Sequence, residues 1–233
     1  MTNRRACLFG TSLLCLSVTL LLAPEASAGR LAGAPGILGP GTPLGVPTAV
    51  TGAVNNDDYS GDGLSNPNLI SFAGIEIAGL APVDISIPVA NTAGTTEYFL
   101  DIGLAVNLTG VDWGGFVVEI GSGVGANFVR STSPFPGVSG LDFDFPVPDP
   151  VLSSPEFPTI DHQADVITFS GGTVLAGDNA TGQAFAFDIP DIAGGTQYDF
   201  TVRLQPIPVP EPTTRVGLAL ATLFCIVGGR RRR

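Results

Sequence analysis

Tyr98-Phe99-Leu100-Asp101-Ile102-Gly103-Leu104 decides the fold class. Tyr98, Leu100, Ile102 and Leu104 recur at every second residue, with Phe99, Asp101 and Gly103 between them. Successive side chains of a β-strand point to opposite faces, so this stretch offers one apolar face to a core and one mixed face to the outside. A helix would repeat its apolar residues at three and four. The same period of two recurs on either side. Val83, Ile85, Ile87 and Val89 alternate with Asp84, Ser86 and Pro88. Leu141, Phe143 and Phe145 alternate with Asp142 and Asp144, and Phe185, Phe187 and Ile189 with Ala186 and Asp188. Tyr198, Phe200, Val202 and Leu204 alternate with Asp199, Thr201 and Arg203. Residues 69–77, 115–120, 126–130 and 166–175 are further strand candidates. Ala93-Gly94, Gly171-Gly172, Gly177-Asp178-Asn179 and Gly194-Gly195 signal turns. About nine short strands separated by turns predict an all-β fold, two packed antiparallel sheets in a jelly-roll-like β-sandwich.

The segments around this body are of another kind. Arg4 and Arg5 precede an apolar run over 6–23, and Ala26-Ser27-Ala28 follows as a small-x-small cleavage site. Residues 1–28 therefore read as a signal peptide, cut between Ala28 and Gly29. Asn3 before the arginine pair and Cys7 after it favour the general secretory route over the twin-arginine one. Residues 29–54, rich in Gly and Pro, read as a flexible or extended lead-in with an early strand over 48–54, and 55–205 as the sandwich domain. Residues 206–212 read as a proline-rich stalk. The three cysteines are Cys7, Cys15 and Cys225, so the body has neither a disulfide nor a thiol nucleophile.

At the far end Val209-Pro210-Glu211-Pro212 leads into an apolar run over 216–228 and then into Arg230-Arg231-Arg232-Arg233. As a helix the run is about 20 Å long, against a bilayer core of about 30 Å. It can enter a membrane but is short for a permanent span. Terminal arginines resist crossing and stay cytoplasmic, which leaves the body outside and Val209–Pro212 at the outer face. In order and spacing these residues resemble the tail of the PEP-CTERM proteins of Gram-negative bacteria. The resemblance covers 209–233 alone, and family members carry unrelated bodies. It implies that residues 213–233 form a hydrophobic sorting helix. It also implies that exosortase, a membrane-embedded cysteine protease, reads the Pro-Glu-Pro and removes the tail. The destination it implies is the cell surface or extracellular matrix, with exopolysaccharide or other matrix material as the partner.

Charge narrows the partners further. Between residues 29 and 208 the bases are Arg30, Arg130 and Arg203, against nineteen acids, a net charge near −16. Such a surface repels phosphate backbones and anionic lipid headgroups, which excludes nucleic acid.

Four constellations remain. Asp58, Ser60 and Asp62 fall at positions 1, 3 and 5 of a calcium loop, with Gly63 at 6 and Asn66 at 9. Alternate side chains and a glycine turn can aim these oxygens at one hard cation. Leu69, at the twelfth position, departs from the EF-hand pattern, and a polar turn-rich loop accounts for the same residues. Asp161-His162-Gln163-Ala164-Asp165 holds the only histidine, which reads as a loop residue before a strand. One histidine cannot build a multi-histidine metal site, and the sequence has no Gly-x-Ser-x-Gly elbow. Asp142 and Asp144 share a strand face about 7 Å apart, near the spacing of paired catalytic carboxylates, but outward acids need no such role. Trp113 can stack on a sugar or pack at a strand start. Asn107-Leu108-Thr109 and Asn179-Ala180-Thr181 match the glycan sequon, by chance in a chain of this kind. The expectation is an exported, non-enzymatic surface or matrix protein without a cofactor other than a structural calcium ion. The alternatives are a secreted carbohydrate-binding module and, behind it, a secreted hydrolase.

Overall fold

The computed structural model describes residues 29–53, 56, 67–90, 94–132, 140–144, 152–191 and 197–210. In chain order its strands are β1 (Arg30–Leu31), β2 (Gly36–Leu38), β3 (Gly41–Pro43), β4 (Thr48–Thr51), β5 (Asn68–Phe72), β6 (Ile75–Ile77) and β7 (Val83–Ala90). There follow β8 (Thr95–Asn107), β9 (Trp113–Ser122), β10 (Val129–Arg130), β11 (Thr159–Gln163), β12 (Val166–Val174), β13 (Asn179–Pro190) and β14 (Gln197–Pro208). The fold is all-β. One sheet is antiparallel throughout, in the order β1-β7-β14-β9-β12-β11, with β2 also on β7 and β10 on β9. The other is built around β8. Strand β13 runs antiparallel along one side of it, and β5 and β6 run parallel along the other, backed by β4 and β3.

The parallel pairs correct the expectation of purely antiparallel sheets. The chain changes sheet at each step from β6 to β7 to β8 to β9, and again from β12 to β13 to β14. Strand β7 thus carries the chain back through the opposite sheet, and β8 sets off in the same direction as β6. Local periodicity reports which face is apolar, not which neighbour a strand will find.

Val83, Ile85, Ile87, Val118, Ile120, Phe200 and Val202 of the first sheet meet Tyr98, Leu100, Ile102, Phe185 and Phe187 of the second in one core. The Phe187 and Phe200 rings touch edge to face, 5.4 Å between centroids, and join the layers. Leu104 is half-buried rather than in the core, and Ala105 takes the inward place. The inward residues change from even to odd numbers at one level of the second sheet. Ile70 and Phe72 precede Gly74 and are followed by Ile75 and Ile77. Leu100 and Ile102 precede Gly103 and are followed by Ala105. Gly74 and Gly103 lie back to back there: a Cβ at Gly103 would sit 2.9 Å from the Ala73 carbonyl oxygen, and one at Gly74 2.9 Å from that of Leu104. Only glycine permits that approach.

Other boundaries move too. Residues 30–51 supply β1 to β4 to both sheets and are not a free lead-in. Gln205, Pro206, Ile207 and Pro208 lie opposite Val117, Phe116, Gly115 and Trp113 in β14, so 206–208 belong to the sandwich rather than to a stalk. Between 126 and 130 only Val129–Arg130 is strand, after a 3-10 turn at Gly125–Asn127. Among the described residues no helix is long and apolar enough to cross a membrane. The proposed signal peptide and sorting helix lie outside the described residues.

Candidate functional site

Strand β14 delivers the chain to one end of the sandwich, the carboxyl-terminal pole. Connections 78–82, 108–112 and 175–178 also turn there. The Val209 N–H donates to the Asp112 carbonyl at 2.8 Å, which fixes the first residue of the Val-Pro-Glu-Pro motif to the body. Val209 and Pro210 are exposed, while Glu211, Pro212 and Arg230 to Arg233 lie outside the described residues.

Asn107 organises this pole. Its side chain is fully buried, and its Nδ2 donates to the carbonyls of Val111 at 2.9 Å, Leu175 at 3.1 Å and Val174 at 3.3 Å. Its Oδ1 accepts from the Thr109 N–H at 3.1 Å and the Thr109 hydroxyl at 2.7 Å. The Trp113 indole N–H donates to Thr109 Oγ1 at 3.0 Å. The backbone closes the knot: Asn107 N–H donates to the Asp178 carbonyl at 2.9 Å, and Gly177 N–H to the Asn107 carbonyl at 2.7 Å. Asp112 Oδ1 accepts from Ala176 N–H at 2.9 Å. Gly110 and Gly177 hold φ of 79° and 91°, the left-handed turn conformation that glycine adopts without strain. Beside the tail exit lies a cleft of about 530 Å³, lined by Leu80, Val111, Asp112, Pro208, Val209 and Pro210 among others.

These contacts bear on two expectations. Asn107 cannot present its amide to a glycosyl donor while it is buried. Trp113 is fully buried and packs against Phe116 at 5.9 Å, so it offers no stacking face for a sugar. Of the residues that build the pole, Asn107 and Thr109 were visible in the sequence only as a sequon. The signal that would have found them is a polar residue at an apolar strand end followed by a Thr-Gly turn.

The charged constellations are structural where they are described. Asp84, 3% exposed, accepts from Arg203 Nε at 2.6 Å and Nη2 at 2.9 Å, and from Gly125 N–H at 2.6 Å. Arg203 also donates to the Gly125 carbonyl and lies 4.0 Å over the Phe128 ring. Removing one partner would strand a buried charge, at a cost of about 3–5 kcal/mol. His162 stands in β11, not in a loop, and its Nε2 is 2.7 Å from the Phe143 carbonyl oxygen. Asp161 bonds Gln163 Nε2, while Asp165 is buried and meets Arg130 at 3.4 Å and the Thr132 hydroxyl. Asp142 and Asp144 do not lie side by side on a strand. Asp142 makes a single bridge to Asp188, and Asp144 is buried with φ 42°, a left-handed bend that ends the alternation of 141–145.

At the opposite pole Tyr98 links the sheets, its oxygen 2.7 Å from Thr51 Oγ1 and accepting from Leu31 N–H at 3.2 Å. Burial pushes the phenols of Tyr98 and Tyr198 above their usual range, helped at Tyr198 by the Asp191 charge. Burial also raises the Asp101 carboxyl. Asn68, fully buried, accepts from Gly52 and Ala53 N–H and donates to Asn56 Oδ1 and the Glu97 carbonyl. It thereby closes the base of the connection that contains Asp58, Ser60, Asp62 and Asn66, which lie outside the described residues, as do Ala26 and Ala28. Among the described residues no group of three or more His, Cys, Asp or Glu is placed to hold a metal ion. No protein-family model, curated protein or solved structure matches this chain.

Proposed function

We propose that this is an exported, non-enzymatic protein, held briefly at the outer face of a membrane by residues 213–233. A protease that reads Pro210-Glu211-Pro212 then releases it to the cell surface or extracellular matrix. The carrying observation is the order and spacing of residues 209–233: motif, short apolar run, four terminal arginines. The body is compatible with that route. Strand β14 ends at Pro208 and Val209 is pinned to Asp112, so the motif begins at the protein surface rather than inside the sandwich. Proline at 210 and 212 keeps the segment extended for a protease cleft. The partners are an exosortase-type membrane protease and then exopolysaccharide or other matrix material. We read the sandwich as jelly-roll-like, because the order β7-β14-β9-β12 sets the last strand beside the first of the sheet-crossing set.

The test is Glu211→Ala in the full-length protein, followed in membrane and medium fractions. The apolar run and arginine stop remain while the recognised motif is damaged, so the variant should accumulate in the membrane with its sandwich intact. Release at the normal rate would remove this reading.

A further inference from the structure

The large apolar side chains that the sandwich leaves outside are not scattered. Among the described residues eight are exposed, and six gather at the carboxyl-terminal pole: Leu38 (48%), Leu80 (38%), Leu108 (48%), Leu175 (53%), Ile207 (38%) and Val209 (37%). The other two are Val46 and Val50. Leu80, Leu108 and Leu175 come from three different connections, at the same end of the sandwich. Leu108 and Leu175 are held there by the buried Asn107 knot, whose partners include the Val111 and Leu175 carbonyls, while the connection of Leu80 is held by the Ala78 N–H, which donates to the Pro40 carbonyl. The three connections contain two acids, Asp112 and Asp178, and no base. A set of exposed apolar loop tips gathered at one end of the body is the form of an interaction site.

We infer that this pole is a shallow docking surface for the lipid headgroup and upper acyl region of a bilayer, with Leu80, Leu108 and Leu175 as the inserting residues. The choice of occupant rests on the sorting reading above. Val209 and Pro210 leave from within the patch, and the apolar run begins at Val216. Six residues span at most about 20 Å, so a run lodged in the bilayer draws this pole against the headgroups. A second copy of the chain would have to fit two tails through the same contact, whereas a membrane already accommodates one. With two acids and no base at the three loops, docking is an apolar contact with zwitterionic lipid, without the polybasic attraction to anionic lipid. The sandwich then stands with β14 directed at the membrane and Glu211 at headgroup depth, where a membrane-embedded protease works. Once the tail is cut, a few shallow side chains hold the body only weakly, which permits release.

The test is spin-label accessibility in the full-length chain, reconstituted into phosphatidylethanolamine–phosphatidylcholine vesicles. Leu80→Cys, Leu108→Cys and Leu175→Cys are made one at a time, with Cys7, Cys15 and Cys225 changed to alanine. Ala126→Cys, exposed in the Gly125–Asn127 turn, serves as the aqueous control. Circular dichroism checks that each variant keeps its β-sheet. The three loop labels should collide with dissolved oxygen several-fold more, relative to a nickel chelate, than the control label does. Loop labels as open to the nickel chelate as the control overturn the inference. So do labels shielded from both reagents, which would mean that a second copy or the chain's own tail covers the pole. A separate label on native Cys225 reports on the tail. Cys225 in lipid with the loops in water leaves the sorting reading standing and removes the dock. Cys225 in water removes the membrane stage of the sorting reading, and the loop labels still decide the dock.

Discussion

The carboxyl-terminal pole and the opposite pole each turn on one fully buried asparagine, and they present different surfaces. Asn107 ties together connections of four and five residues, 175–178 and 108–112, whose backbone groups it and its neighbours consume. Asn68 closes the base of a sixteen-residue connection, 52–67, that carries Asp57, Asp58 and Asp62. A short loop that satisfies its polar groups internally has little left to show except side chains, and here those are Leu108 and Leu175. A long connection keeps polar groups for solvent or for a cation. The same residue type, in the same structural role, therefore closes short apolar connections at one pole and a long connection of polar composition at the other. What decides between them is the length and composition of the chain that each asparagine gathers.

The largest expected effect is at Asn107. Asn107→Ala removes the amide from the carbonyls of Val111, Val174 and Leu175 and from the Thr109 N–H; Leu175 keeps the Asp178 N–H and Val111 the Thr109 hydroxyl, so the loss falls on Val174 and Thr109. At about 1–3 kcal/mol for each buried unsatisfied group, offset by partial relaxation, the loss should be about 3 kcal/mol. A domain of this size would then melt about 6–12 °C lower. Asn68→Ala should cost less, about 2 kcal/mol, because two of the N–H groups it leaves belong to the exposed Gly52 and the half-buried Ala53. Thermal melts of the two variants check the comparison, and equal losses would break it.

Calcium sharpens the contrast at the opposite pole. If Asp58, Ser60, Asp62 and Asn66 bind it, calcium at ten times its dissociation constant stabilises by about 1.4 kcal/mol, a rise of about 3–6 °C in melting temperature. Asp62→Ala should abolish that rise without altering the melt in chelator. Identical melts of the native chain in chelator and in millimolar calcium would leave a polar loop and nothing more.

The smallest effect belongs to Asp101, which lies in β8 between the poles. Burial raises its carboxyl above the unfolded value, so the folded protein holds this proton more tightly than the unfolded chain. The cost is absent below the unfolded pKa, grows as pH rises through the folded one, and is complete at neutral pH. Asp101→Asn should therefore raise the melting temperature at neutral pH by about 1 °C, the scale of a partly exposed site, and leave it unchanged near pH 3. A larger gain in acid than at neutral pH would reverse the assigned sign.

The same contrast marks what could be read from the sequence. Period-two alternation located β7, β8, β13 and β14, because side-chain direction in a strand is set by the chain itself. It failed at Leu104, where Gly74 and Gly103 approach across the sheet and change the inward face, a relation between distant residues. It failed again at Asp144, which lies buried in a left-handed bend after Leu141 and Phe143, both buried as expected. The parallel set of β5 and β6 beside β8 depends on a crossing through the other sheet, which no local pattern encodes. At the candidate site, Val209 and Pro210 were legible as a motif. The pole that presents them was not, because Asn107 is recognisable only once Val111, Val174 and Leu175 converge on it.

The mass of the protein recovered from the medium tests the central claim most directly, since it reports both ends of the chain at once. The account predicts a start at Gly29 and an end within 210–212, so that the body carries the pole, the knot and none of the apolar run. A medium pool that retains Arg230, Arg231, Arg232 and Arg233 would contradict it.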